Sequence, residues 1–235
     1  MPASRTIQGT GCGLFLFVAV LLTAADNPND AAKWKALGVS HAARGDYAGA
    51  EGPFHRACLL DPKLPDACLY FGRTLYLLDR FDQAVNVLRT ALENDPQNPQ
   101  IYRIEALALE ASGKAGEAET VFREAIRLEK HSQPNEDPSI DYGVFLYRQG
   151  RAEASLEPLQ AALARHPDAS RAQLELGCVL LALDRVEQAA AHLERATALD
   201  PQGARGHFLL GKAYQRMGKT ELARKELDQG SRTVK

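Results

Sequence analysis

Gly218-Lys219-Thr220 reproduces the tail of a phosphate-binding loop, where glycine backbone cradles phosphate oxygens and the lysine neutralises them. That chemistry also needs a glycine five places ahead of Gly218, and Ala213 stands there. His55 and Cys58, three residues apart, share one helical face and offer two ligands of the kind a metal takes. His131, His166, His192 and His207 scatter along the chain and converge with them on no common site. The sequence contains no C-x2-C, no H-E-x-x-H and no G-x-S-x-G. It therefore predicts no catalytic residue, no metal site, no cofactor and no enzyme. Cysteine offers one more chemistry. Cys58 and Cys68 flank the Asp61-Pro62 turn almost symmetrically, so antiparallel helices on either side can bring the two sulfurs together as a disulfide. Cys178 is expected to stay a free thiol.

Composition sets the frame for these residues. The chain of 235 residues is 45% hydrophobic and 25% charged, an ordinary globular balance. Net charge is -2, and no Lys/Arg run occurs, which argues against nucleic acid as a partner. The N-terminus differs in kind. One arginine, Arg5, precedes the apolar run LFLFVAVLL at 14–22, and the small residues TAA follow at 23–25. This order reads as a secretory signal peptide over 1–25, with export to the periplasm or the extracellular space, and 26–30 as a short linker. As a helix, 14–25 would span only about 18 Å, short of a ~30 Å hydrocarbon core. The alternative keeps that segment as a single membrane anchor, the one route by which the chain would touch a membrane. Cys12 lies ahead of the apolar run rather than behind it, so no lipidation is expected.

From residue 31 onward one pattern returns every 34 residues. The blocks are 31–64, 65–98, 99–132, 136–169, 170–203 and 204–235, with three extra residues before the fourth. At place eight of a block stand Gly38, Gly72, Gly143, Gly177 and Gly211, with Ala106 in the third. At place 15 stand Gly45, Asp79, Gly113, Gly150, Asp184 and Gly218. Place 20 is small, from Ala50 to Ala223, and place 24 is large and apolar, from Phe54 to Leu227. Apolar spacings of three and four predict two amphipathic helices per block, with the place-15 residue in a tight turn between them. The small places mark where helices approach closely. One helix pair cannot bury its own apolar face, and stacked pairs can.

The pattern W-x2-L-G-x2-Y, A-x3-F, then P, carried by Trp34, Leu37, Gly38, Ala50, Phe54 and Pro62, resembles the tetratricopeptide repeat. His41 replaces the usual aromatic residue, and as a packed seam histidine it is expected to find a partner for its ring. The resemblance covers 31–235 and implies an all-α, right-handed α-solenoid (superhelix) of six helix-turn-helix units. It also implies that the first helix of each unit lines a concave groove, through places two, five, nine, twelve and thirteen. Of those thirty residues eight are Lys or Arg and three are acidic, an excess of positive charge. The expected groove set is Lys35, Arg73, Tyr76, Arg103, Tyr147, Arg148, Arg171, Arg205, Phe208, Lys212 and Arg216. A basic rim over an apolar floor suits a peptide with acidic side chains or a free carboxylate. The carboxylate clamp of chaperone adaptors is not supported, because Val39 follows Lys35 by one turn, and Tyr70 and Ile104 occupy the other polar places.

These features together predict a non-catalytic protein- or peptide-binding scaffold, or else a membrane-tethered assembly factor or regulatory subunit. Self-association through the groove or an end face is a further route. The stretch SQPNEDP at 132–138 reads as a longer surface loop, with a hinge as the alternative. In the closing helix Leu222 and Leu227 are expected to face inward. N-terminal sequencing of the purified protein is expected to start at Asp26; a start at Met1 would support the anchor instead.

Overall fold

A computed structural model describes residues 30–64 and 66–233. The expected signal peptide over 1–25 and nearly all of the expected linker lie outside the described residues. Within them the chain forms twelve α-helices and no strand: α1 (Ala31–Ala42), α2 (Tyr47–Leu60), α3 (Ala67–Leu77), α4 (Phe81–Asn94), α5 (Pro99–Ala111), α6 (Ala115–Leu128), α7 (Pro138–Arg148), α8 (Ala152–Arg165), α9 (Ser170–Ala182), α10 (Val186–Leu199), α11 (Ala204–Arg216) and α12 (Thr220–Thr233). Each block is one pair, and each second helix packs on the next first helix, which makes an α-solenoid. None of the described helices is long and apolar enough to cross a membrane.

The turn inside each pair is the same device six times. The place-15 residue has positive φ throughout: 74° at Gly45, 57° at Asp79, 80° at Gly113, 75° at Gly150, 62° at Asp184 and 73° at Gly218. This left-handed residue ends the first helix. The next N–H then bonds back to the carbonyl five residues earlier, as in Arg80 N to Leu75 O and Arg151 N to Leu146 O, both 2.9 Å. Asp79 and Asp184 show that a short polar side chain can take this conformation where glycine is absent.

Place eight sets the distance between the helices of a pair. A Cβ built on Gly72 would lie 2.5 Å from Leu88, and one on Gly177 2.6 Å from Leu193. Gly38, Gly143 and Gly211 face Phe54, Leu159 and Leu227 in the same way. The third pair admits a methyl group here, with Ala106 and Phe122 both fully buried. Ala50, Ala84, Ala118, Ser155, Ala189 and Ala223 complete the close approach and are buried. The core forms two clusters that meet on α7. Phe145 and Leu146 belong to the N-terminal cluster and Ile140 to the C-terminal one.

Charge bridges neighbouring pairs along the turns. Arg80, Lys114, Arg151 and Arg185 open the second helices of their blocks. They reach back to Glu51, Asp82, Glu119 and Glu153 in the preceding second helix. Each exposed pair contributes little alone, but the repetition favours one register of stacking.

The ends depart from expectation. Leu227 packs against Gly211, but Leu222 is 44% exposed. Ala223, Leu227 and Gly230 make the inward face of α12. Leu222, one residue before Ala223, falls on its outer flank, a place that is exposed in the inner repeats as well, at Gln83, Glu117, Ala154 and Gln188. At the other end Leu37 is 43% exposed, while its counterparts Leu176 and Leu210 are buried beneath a preceding pair. Gly177→Ala should therefore lower unfolding stability by about 1–3 kcal/mol through overpacking. Gly52→Ala, at an exposed helical site with open space around it, should raise it by roughly 0.5–1 kcal/mol. Urea melts of the two variants check both signs.

Candidate peptide-binding groove

The first helices touch one another in sequence: α3 with α5, α5 with α7, α7 with α9 and α9 with α11. Between α1 and α3 a cleft of about 260 Å³ opens instead. Val39, Ala42 and Ala43 line one side, and Tyr70, Arg73, Thr74 and Leu77 the other. Val39 and Leu77 are 44% and 40% exposed, large apolar side chains presented to solvent on the groove side. Arg73, also exposed, stands on the same helix one turn before Leu77.

The other predicted cations are not presented as an open basic rim. Arg103 is buried, its Nη1 2.9 Å from Asp141 and its Nε donating to Gln100 at 2.7 Å. Arg171 grips the other oxygen of the same Asp141. Arg205 holds Glu175 through Nη1 and Nη2, at 2.5 and 2.9 Å. Arg148 lies 3.3 Å from Glu110, and Arg216 bonds to Asp184 and to the Leu181 carbonyl at 2.8 Å. Lys212 sits 4.4 Å from the centre of the exposed Phe208 ring, and Lys35 is half-buried on α1. Tyr76 and Tyr147 are half-buried. Burial first, then the Asp141 charge, pushes the Tyr76 phenol up; burial first, then the Cys178 thiol, raises Tyr147. The groove therefore differs from the expected basic rim, because most of its arginines are paired with carboxylates. Two of the carboxylates that engage these arginines, Asp141 and Glu175, sit at place six, which the groove places omit. A place-two arginine of the next repeat reaches back over each, with the same separation of 30 residues.

One cluster imitates a catalytic triad. Ser132 Oγ lies 3.4 Å from His166 Nε2, and Asp137 Oδ2 lies 3.9 Å from that same nitrogen. A relay needs serine and aspartate on opposite ring nitrogens, so this arrangement does not activate the serine. Asp137 instead caps α7 through Ser139 N at 2.8 Å and takes Arg165 bidentately at 2.8 and 2.9 Å. Burial alone would raise its pKa, but Arg165 and Ser139 outweigh that and hold it low. Its share of stability is complete above the ordinary carboxylate pKa and is lost as pH falls through the folded value.

The remaining singled-out residues have structural partners. His41 Nδ1 meets Asp46 Oδ2 at 2.7 Å, and Trp34 is half-buried with the Arg56 guanidinium 4.9 Å from its ring. His55 stacks on Phe71, His192 bonds to Gln173 and His207 to Glu226. Cys58 and Cys68 are joined as a disulfide across the first two pairs, which removes Cys58 as a metal ligand; Cys178 is free. Among the described residues no group of three or more His, Cys, Asp or Glu could hold a metal ion.

Residues 102–233 match the family described as the Cilia and flagella-associated protein 70 middle TPR-like domain, and residues 41–108 match a tetratricopeptide-repeat family. The chain belongs to the tetratricopeptide-repeat proteins. No curated protein matches it in sequence. Among solved structures this tetratricopeptide-repeat chain is similar to Cut9 in the APC/C hetero-tetramer Cut9-Hcn1. The TM-score is 0.74 at 18% identity, over 88% of this chain but only 41% of that one. It is also similar to PilW, a type IV pilus biogenesis factor (TM-score 0.71, 19% identity, 83% of this chain and 90% of that chain). Pseudomonas aeruginosa pilF matches alike (TM-score 0.71, 18% identity, 86% and 90%). At these identities the likeness is one of fold.

Arg171 and Arg205 thus tie first helices together, so reversing their charge would disturb the solenoid as well as the groove. Asp141→Asn, which leaves buried Arg103 without its counter-charge, should cost about 3–5 kcal/mol of unfolding stability. Asp184→Asn, at a pair whose aspartate side chain is 82% exposed, should cost under about 1 kcal/mol. Urea denaturation of the two variants separates the buried tie from the exposed one.

Proposed function

We propose that this chain is a non-catalytic scaffold that binds a protein or peptide partner on its concave face, exported to the cell envelope or the secreted space. The observation that carries this reading is the cleft between α1 and α3. It is the right size for one or two apolar side chains, it is lined by exposed Val39 and Leu77, and Arg73 stands at its rim. An apolar side chain seated there leaves a neighbouring carboxylate within reach of Arg73. The ligand class is therefore a short segment with an apolar residue beside an acidic one. This narrows the acidic-peptide reading and moves its centre from the C-terminal repeats to the first two.

A second form of the reading is an assembly factor that collects components of an envelope complex, tethered if residues 14–25 are retained. The similarity to PilW and pilF over most of both chains supports it. YrrB, described as a tetratricopeptide-repeat protein with an unusual peptide-binding site, supports peptide capture on such a fold (TM-score 0.55, 20% identity, 77% of this chain and 91% of that one).

A peptide array that pairs Leu or Phe with flanking Asp or Glu tests the proposal. Val39→Asp with Leu77→Asp should weaken capture at least about tenfold with an unchanged melting curve, the scale expected for removing an apolar anchor. Arg73→Glu should lose the acidic members of the array and spare the neutral ones. Capture by the double variant equal to that of the wild type would overturn the cleft as the site.

A further inference from the structure

We infer that the insertion between the third and fourth repeats is a built-in occupant of the groove, which an acidic ligand must displace from Arg73 and Arg171. The inference rests on the peptide-binding reading above and adds a competitor to it. A spare loop in a solenoid normally projects into solvent, where its backbone groups are hydrated. This one turns inward. Its short 3-10 turn, Pro134–Glu136, lies against α9.

The contacts of that turn are those an acidic peptide would make. The Asn135 side-chain oxygen accepts from Arg171 N at 3.1 Å, and its carbonyl accepts from Arg171 Nη1 at 3.3 Å. The Glu136 carbonyl accepts from Gln100 Nε2 at 3.4 Å, and the Glu136 carboxylate lies 4.0 Å from Arg73 Nη1. Arg73, Gln100 and Arg171 belong to α3, α5 and α9, the first helices of repeats two, three and five. The insertion, together with Glu136 that follows it, thus spans the concave side and presents one carboxylate, one amide and two carbonyls to groove residues.

Its two ends are held unequally. At the base Asp137 is fully buried and fixed by Arg165 and by the start of α7. At the tip Asn135 is exposed, and the Glu136–Arg73 pair is long and open to water, 41% and 49% exposed. Pairs of that kind hold weakly. An incoming carboxylate can therefore take Arg73 from Glu136 while the base stays in place. Arg73 also stands at the rim of the apolar cleft, so the strap competes for the cation that would select acidic ligands there.

The test uses the full mature chain and a fluorescein-labelled Glu-Glu-Leu-Glu-Glu peptide, read by anisotropy. Asn135→Ala with Glu136→Gln removes the tip and leaves Asp137, Arg165 and both proline residues untouched. The variant should bind the probe about two- to fivefold more tightly than the wild type, the scale of releasing a weakly held exposed pair, and a synthetic Ser-Gln-Pro-Asn-Glu-Asp peptide should compete with the probe on the variant. Equal or weaker binding by the variant overturns the strap and leaves the groove reading standing. No binding by either folded protein overturns the acidic-ligand reading and the strap with it. A gain that survives adding Arg73→Glu to the variant also overturns the strap, because the probe then binds elsewhere.

Discussion

Glycine at place eight, pressed against a large apolar side chain at place 24, is the contact on which the rest of this solenoid depends. With no Cβ in the way, the two helices of a pair approach until Leu88, Leu159, Leu193 and Leu227 lie over helical backbone. That spacing buries the small residues at place 20 and presents one continuous apolar flank to the next pair. Stacking then follows, because each flank is covered only by its neighbour. Where no described pair precedes it the same surface is exposed, as Leu37 shows. Interiors packed this tightly transmit small changes of spacing, so the distance set at glycine also sets how closely α3, α5, α7, α9 and α11 line up along the groove.

The groove that results is electrostatically self-contained over much of its length. Asp141 lies between Arg103 and Arg171, and Glu175 is held by Arg205. These pairs join first helices of different repeats, so the charge a ligand would seek is already engaged in holding the curvature. Specificity in such a groove comes from the few places where engagement is weak. Arg73, beside the open cleft and loosely paired with Glu136, is the clearest of them.

Much of the fold was legible because it depends on local spacing. The period of 34 residues, the left-handed place 15 and the small place 20 all follow from helix periodicity and turn geometry. The pairing of Cys58 with Cys68 was readable for the same reason, since one short turn fixes both positions. The site was less legible. Position by position, Arg73, Arg171 and Arg205 were legible, but as free cations. Their partners lie 30 or more residues away, on helices whose approach no single block reveals. The insertion had no repeat to be compared with, so its composition pointed to a surface loop and said nothing of the side to which it would turn.

The sequence by itself determined the helix pair, its turn, its closely packed small residues and the number of copies, because each is set by interactions within about one period of chain. Tertiary structure alone decided which arginines are engaged, which face of the first two repeats stays open, and where the extra residues before the fourth repeat lie. Those outcomes depend on how far the stack curves, a sum of small offsets between neighbouring pairs. Only that accumulated curvature brings Glu136 to Arg73 and Asn135 to Arg171 across the concave side.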